Sequence, residues 1–124
     1  MRDYRCFEDG DIKALTVEDA LADDDFGKSP WDYFQYIAIE QDQVENILDA
    51  TDLEVGQAFK AISTYCKTGC HPEYSSFSSS GVKMLVRSII HAHEKRMNSE
   101  YIRHYRQFVA AQKKAQEKTL GKLK

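Results

Sequence analysis

Long apolar runs are absent from this 124-residue chain. A helix that crosses a bilayer needs roughly 20 predominantly apolar residues, so none is expected to do so. The opening Met1-Arg2-Asp3-Tyr4-Arg5 leads into acidic sequence without an apolar stretch, so no signal peptide is expected. Cysteine is scarce and odd in number: Cys6, Cys66 and Cys70. Without a secretory signal, that count predicts reduced thiols and a cytoplasmic protein, in the host cell's cytoplasm if the chain is viral. Cys66, Cys70 and His71 suggest zinc, but structural zinc recruits a second ligand pair and none follows. No metal is expected, and Cys66 is expected to be a small buried hydrophobe.

Motifs of catalysis are missing too. There is no Gly-rich phosphate loop, no His-Glu-x-x-His and no nucleophile elbow. His91 and His93 are two residues apart, so on a helix they face different sides and cannot form an i,i+4 metal pair. Cys70 and His71 are adjacent, which is not a catalytic arrangement. The expectation is a protein with no enzymatic activity, no catalytic residue and no cofactor.

What is present is charge, unevenly placed. Residues 1–82 hold 6 Lys/Arg and 17 Asp/Glu, or −11, and residues 83–124 hold 11 and 3, or +8, for a net −3. Such asymmetry marks a basic tail or an acidic surface with its own partner, or two halves that neutralise each other on folding.

Periodicity predicts helices. Residues 1–15 show no period. Thr16 and Asp19 form a helix-start pattern ahead of Val17, Ala20 and Leu21. Asp23-Asp24-Asp25 then reads as a solvated helix end. Ser29 and Pro30 suit a helix N-cap and first position. A helix is predicted over about 31–49 from Trp31, Phe34, Ile37, Val44 and Leu48, although the β-rich run 33–39 also admits a strand. Thr51 and Glu54 form a capping box for a helix over 52–67, with Gly69 as its left-handed terminator and Pro72 as a stop. A serine-rich loop over 70–80 is anchored by Tyr74 and Phe77.

The last helix starts near Ser80. Val82, Val86, Ile89, His93, Met97, Tyr101, Tyr105 and Phe108 form its stripe, with His93 a core histidine and Asn98-Ser99 a candidate kink. The tail after Phe108 is expected to fray. The fold class is all-α: a small helical bundle with a long C-terminal amphipathic helix. The expected division is an acidic N-terminal extension over 1–28, a helical core domain over 29–110 and a basic tail over 111–124.

Leu48, Leu53, Glu54-Val55-Gly56, Tyr65-Cys66-Lys67-Thr68-Gly69, Pro72-Glu73-Tyr74, Phe77, Met84, Ile89, Arg96 and Tyr101 carry a resemblance. From Val44 to about Tyr105 the chain resembles a phage- and prophage-associated helical domain family of unknown function, often encoded near replication genes. The family shows Asp-Arg where this chain has Lys95-Arg96. The resemblance implies a helical fold and a mobile-element origin, and it implies no reaction.

The functional expectation is a non-enzymatic interaction protein that binds a host or phage protein. One form is an inhibitor of host defence, anti-CRISPR-like, in which Asp19, Asp23, Asp24 and Asp25 mimic nucleic acid and occupy a nucleic-acid-binding complex. The alternative is a replication accessory that contacts nucleic acid through Lys95, Arg96, Arg103, Arg106, Lys113 and Lys114. The aromatic stripe exceeds what two short helices cover, which admits homodimerisation through a second copy.

Overall fold

The computed structural model describes residues 3–33 and 37–122, the side chain of Lys122 excepted. It is all-α: α1 spans Asp9–Lys13, α2 Val17–Ala22, α3 Gln41–Asp49, α4 Asp52–Thr68 and α5 Ser80–Lys122. Single 3-10 turns lie at Tyr4–Cys6, Pro30–Tyr33 and Tyr74–Ser76. The described residues contain no strand, and none of their helices is long and apolar enough to cross a membrane.

Local chemistry starts each of the first four helices. Glu8 with Asp11, Thr16 with Asp19, Glu40 with Gln43 and Thr51 with Glu54 form reciprocal capping boxes. Each satisfies amide donors that the helix itself leaves without partners. At the far end of α4, Gly69 adopts φ 73°, and its amide reaches the Tyr65 carbonyl at 2.7 Å. A left-handed residue there accepts no Cβ without strain, which explains the glycine.

The chain divides into two compact units. One, residues 36–95, packs Ala58, Ile62 and Tyr65 of α4 against Val82, Leu85, Val86, Ile89 and Ile90 of α5. Tyr74 and Phe77 pack against this core, as the sequence predicts. The other joins the two ends of the chain, residues 1–35 and 96–124. Tyr4, Ile12, Leu15 and Ala20 cover Tyr101, Tyr105 and Val109 of α5. Each fully buried aliphatic or aromatic side chain contributes about 1.5–3 kcal/mol by leaving water. These boundaries differ from the 1–28, 29–110 and 111–124 division drawn from composition, because contacts made by both chain ends are invisible to a linear reading.

Several expectations need correction. Residues 31–49 are not one helix: the 3-10 turn ends at Tyr33, Ile37–Glu40 are irregular, and α3 begins at Gln41. Of the 33–39 run, Tyr33 ends a 3-10 turn and Ile37–Ile39 are irregular, neither helix nor strand, while Phe34 to Tyr36 lie outside the described residues. On α3 the apolar Val44 and Leu48 face water, at 42% and 78% exposure, whereas Gln43 is buried. Gln43 satisfies itself by capping the Glu40 amide at 2.8 Å and donating to the Ser88 hydroxyl at 3.1 Å, so burial does not strand its amide. Cys66 is exposed rather than buried. Residues 4–13, which show no period, form a 3-10 turn and α1. α5 passes through Asn98 and Ser99 without a break and is helical to Lys122. The second half of the stripe is covered by the chain's own N-terminal segment, so it needs no second copy to bury it.

Candidate protein-binding groove

The acidic run predicted as a surface is split. Asp23 is 7% exposed, because it is an acceptor rather than a solvated helix end. Its Oδ2 accepts the Tyr4 hydroxyl at 3.1 Å and the Tyr105 hydroxyl at 2.8 Å, and its Oδ1 accepts the Asp25 amide at 3.1 Å. Asp19 closes the capping box of α2, accepting the Thr16 amide at 2.8 Å. Asp24 and Asp25 are exposed. Four carboxylates close in sequence therefore present two to solvent, one at a helix start and one inside.

The basic residues of α5 are similarly divided. Arg103 donates to Glu100 at 2.6 Å, Arg106 donates to the Leu15 carbonyl at 3.0 Å, and Lys113 lies 3.9 Å from Asp9. Arg96 is half-buried, while Lys95 and Lys114 are exposed. The unit that holds both chain ends contains 12 Lys/Arg and 12 Asp/Glu, a net charge of zero. The −11 and +8 of the linear sequence thus largely neutralise within one unit. The other unit contains 5 Lys/Arg and 8 Asp/Glu and carries the whole net −3.

His71 does work that its sequence neighbours do not reveal. Its Nε2 pairs with Glu94 at 2.8 Å and its Nδ1 meets the Tyr74 hydroxyl at 2.9 Å. Both ring nitrogens are engaged, so the imidazole ties the 70–79 loop to α5 and offers neither nitrogen to a substrate. Arg87 lies 4.8 Å over the Tyr74 ring and supports the same loop. Tyr65 sits edge-on to His71 and to the buried His93. Burial, followed by the Glu94 charge, holds the Tyr65 phenol well above its usual pKa. His91 is exposed while His93 is buried, as their two-residue spacing predicts. Among the described residues no three His, Cys, Asp or Glu side chains gather to hold a metal ion.

A concavity lined by carboxylates lies along α3 and α5. It is a groove of about 620 Å³. Asp42, Gln43, Asn46 and Asp49 contribute from α3, and Val82, Met84, Leu85 and Ser88 from α5. Glu40, the N-cap of α3, and Glu54, the capping-box partner of Thr51 at the start of α4, also line it. The Thr51 amide, then the Ser79 hydroxyl at 2.7 Å, hold the Glu54 carboxyl below the usual range, so it is anionic at neutral pH. No Lys or Arg lines the groove, and none occurs in the sequence between Lys28 and Lys60. Met84, 70% exposed, gives the groove an apolar contact beside the carboxylates. The sequence signal for this site is the cation-free stretch of 31 residues between those two lysines. No family model, curated protein or solved structure matches the chain.

Proposed function

We propose that this protein acts by binding another protein without catalysing a reaction, and that the α3–α5 groove receives a basic segment of that partner. The observation that carries this reading is the groove's make-up: four carboxylates, no Lys or Arg, one histidine (His91) and an exposed methionine. Carboxylates at a rim select and steer cationic partners, and an apolar contact supplies affinity that salt does not screen. Methionine suits such a surface because its unbranched chain adapts to different apolar side chains. The resemblance to phage- and prophage-borne helical domains makes a host or viral protein the proposed partner, with inhibition of a defence complex as one form of the role. In that form the groove, rather than Asp19, Asp23, Asp24 and Asp25, presents the carboxylates that occupy the nucleic-acid-binding complex.

Less supports the nucleic-acid alternative. Arg103, Arg106 and Lys113 already have partners within their own unit, and that unit is electrically neutral.

The test is affinity capture from the native host with and without nuclease, comparing wild type with the Asp42→Lys/Asp49→Lys double variant. The expected outcome is a nuclease-resistant protein partner whose recovery falls roughly tenfold with the double variant, as expected for reversing two rim charges. Equal recovery by both proteins would remove the groove from the reading.

A further inference from the structure

We infer that the groove also receives the basic end of α5 from a second copy of this chain, so that self-association and partner binding compete for one surface. The inference rests on the groove reading above. The occupant is chosen by charge and length. Residues 113–124 contain five lysines against one acid, Glu117. Lys114 and Lys118, four residues apart and on one side of α5, are both exposed. Leu120, 38% exposed, adds an apolar side chain near the end of the helix. The groove offers the opposite set: Glu40, Asp42, Asp49 and Glu54 around Met84. The ten residues from Lys113 to Lys122 form about 15 Å of helix, and the nine of α3 about 13.5 Å, so the two match in length.

The two surfaces belong to different units of the chain, the net-negative one and the one whose charge sums to zero. Each contact therefore pairs the tail of one copy with the groove of another. This association differs from one that covers the aromatic stripe of α5, because that stripe is covered within the chain. It is electrostatic and therefore weakens as salt shortens the range of the charges.

Sedimentation equilibrium of the full chain over about 10–200 µM, at low and at 0.5 M salt, tests this. Wild type is expected to self-associate at low salt and to dissociate at high salt. Lys114→Glu/Lys118→Glu and Asp42→Lys/Asp49→Lys are each expected to weaken self-association by roughly tenfold. Mixed together, the two variants should form a heterodimer, because the reversed tail of one complements the reversed groove of the other. Circular dichroism of each variant confirms that helix content is kept. A wild-type chain that stays monomeric at low salt, a dimer that both variants retain, or variants that fail to pair with each other overturns the inference. If the monomeric chain still loses its captured partner on Asp42→Lys/Asp49→Lys, the groove reading survives alone.

Discussion

Removing the Tyr105 hydroxyl probes the unit that joins the two chain ends. Tyr105 is fully buried on α5, its ring packed 5.1 Å from Phe26 and 6.3 Å from Phe108. Its hydroxyl donates to Asp23 at 2.8 Å, and Tyr4 donates to the same oxygen at 3.1 Å. Tyr105→Phe keeps the ring packing and deletes one hydrogen bond to a buried carboxylate, worth about 2 kcal/mol. Tyr4→Phe, with the longer bond, should destabilise by about 1.5 kcal/mol. Asp23→Ala leaves two buried phenols without this acceptor and strips the Asp25 amide of its partner, for a loss of about 4 kcal/mol. For a chain of this size, 2 kcal/mol corresponds to roughly 8 °C in Tm. The assay is urea unfolding followed by the emission of Trp31, the chain's single tryptophan, which belongs to the same unit. The sharper test is the cycle. In an Asp23→Ala background, Tyr105→Phe should cost much less than in wild type, because the bond to Asp23 is already lost. A Tyr105→Phe variant within about 0.5 kcal/mol of wild type, or an equal loss in both backgrounds, would refute the account of Asp23 as the acceptor that fastens the N-terminal segment to α5.

Three further outcomes follow from the same geometry. Tyr33, Tyr65, Tyr74 and Tyr101 all have raised pKa values, with burial as the first cause. The folded chain therefore holds these protons at a pH where the unfolded chain releases them, so stability is full below about pH 10 and falls as pH rises through the folded values. Phenolate absorbance at 295 nm should show these four tyrosines ionising late, together with loss of helix, and normal titration of all seven would contradict it. Gly69→Ala forces a Cβ into a left-handed position at φ 73° and should destabilise by about 1 kcal/mol in denaturant titration. An unchanged midpoint would mean that the terminus relaxes. Asp24→Lys/Asp25→Lys should leave partner capture within twofold of wild type, because these residues lie in the charge-neutral unit and not on the groove; a loss as large as that from the groove variant would restore the acidic run as the contact surface.

Much of the helical architecture can be read from residues a few positions apart. The Thr51 and Glu54 box, the Gly69 terminator and the stripe from Val82 to Tyr105 are local in origin, since capping, left-handed backbone and a 3.6-residue period need no distant contact. The same logic places His93 inside and His91 outside. It fails where burial depends on a partner far along the chain. Asp23 looks like a solvated acid until Tyr105, 82 residues away, supplies a proton donor. Gln43 looks exposed and Val44 buried until Ser88 offers a hydroxyl to the glutamine. His71 looks like a candidate zinc ligand until Glu94 and Tyr74 occupy both its nitrogens.

The amino-acid order by itself determined that this chain would be helical, where most of its helices start and stop, and that α5 would carry one long apolar face. Those features follow from backbone donors that need caps and from side chains that repeat with the helix turn. Tertiary structure alone decided which charges remain available. It folded the acidic beginning onto the basic end, where the two cancel, and left the net negative charge on the unit that holds α3. Coulomb interactions act across space and not along the sequence, so a charge count along the chain locates the ionic groups but not the field they produce.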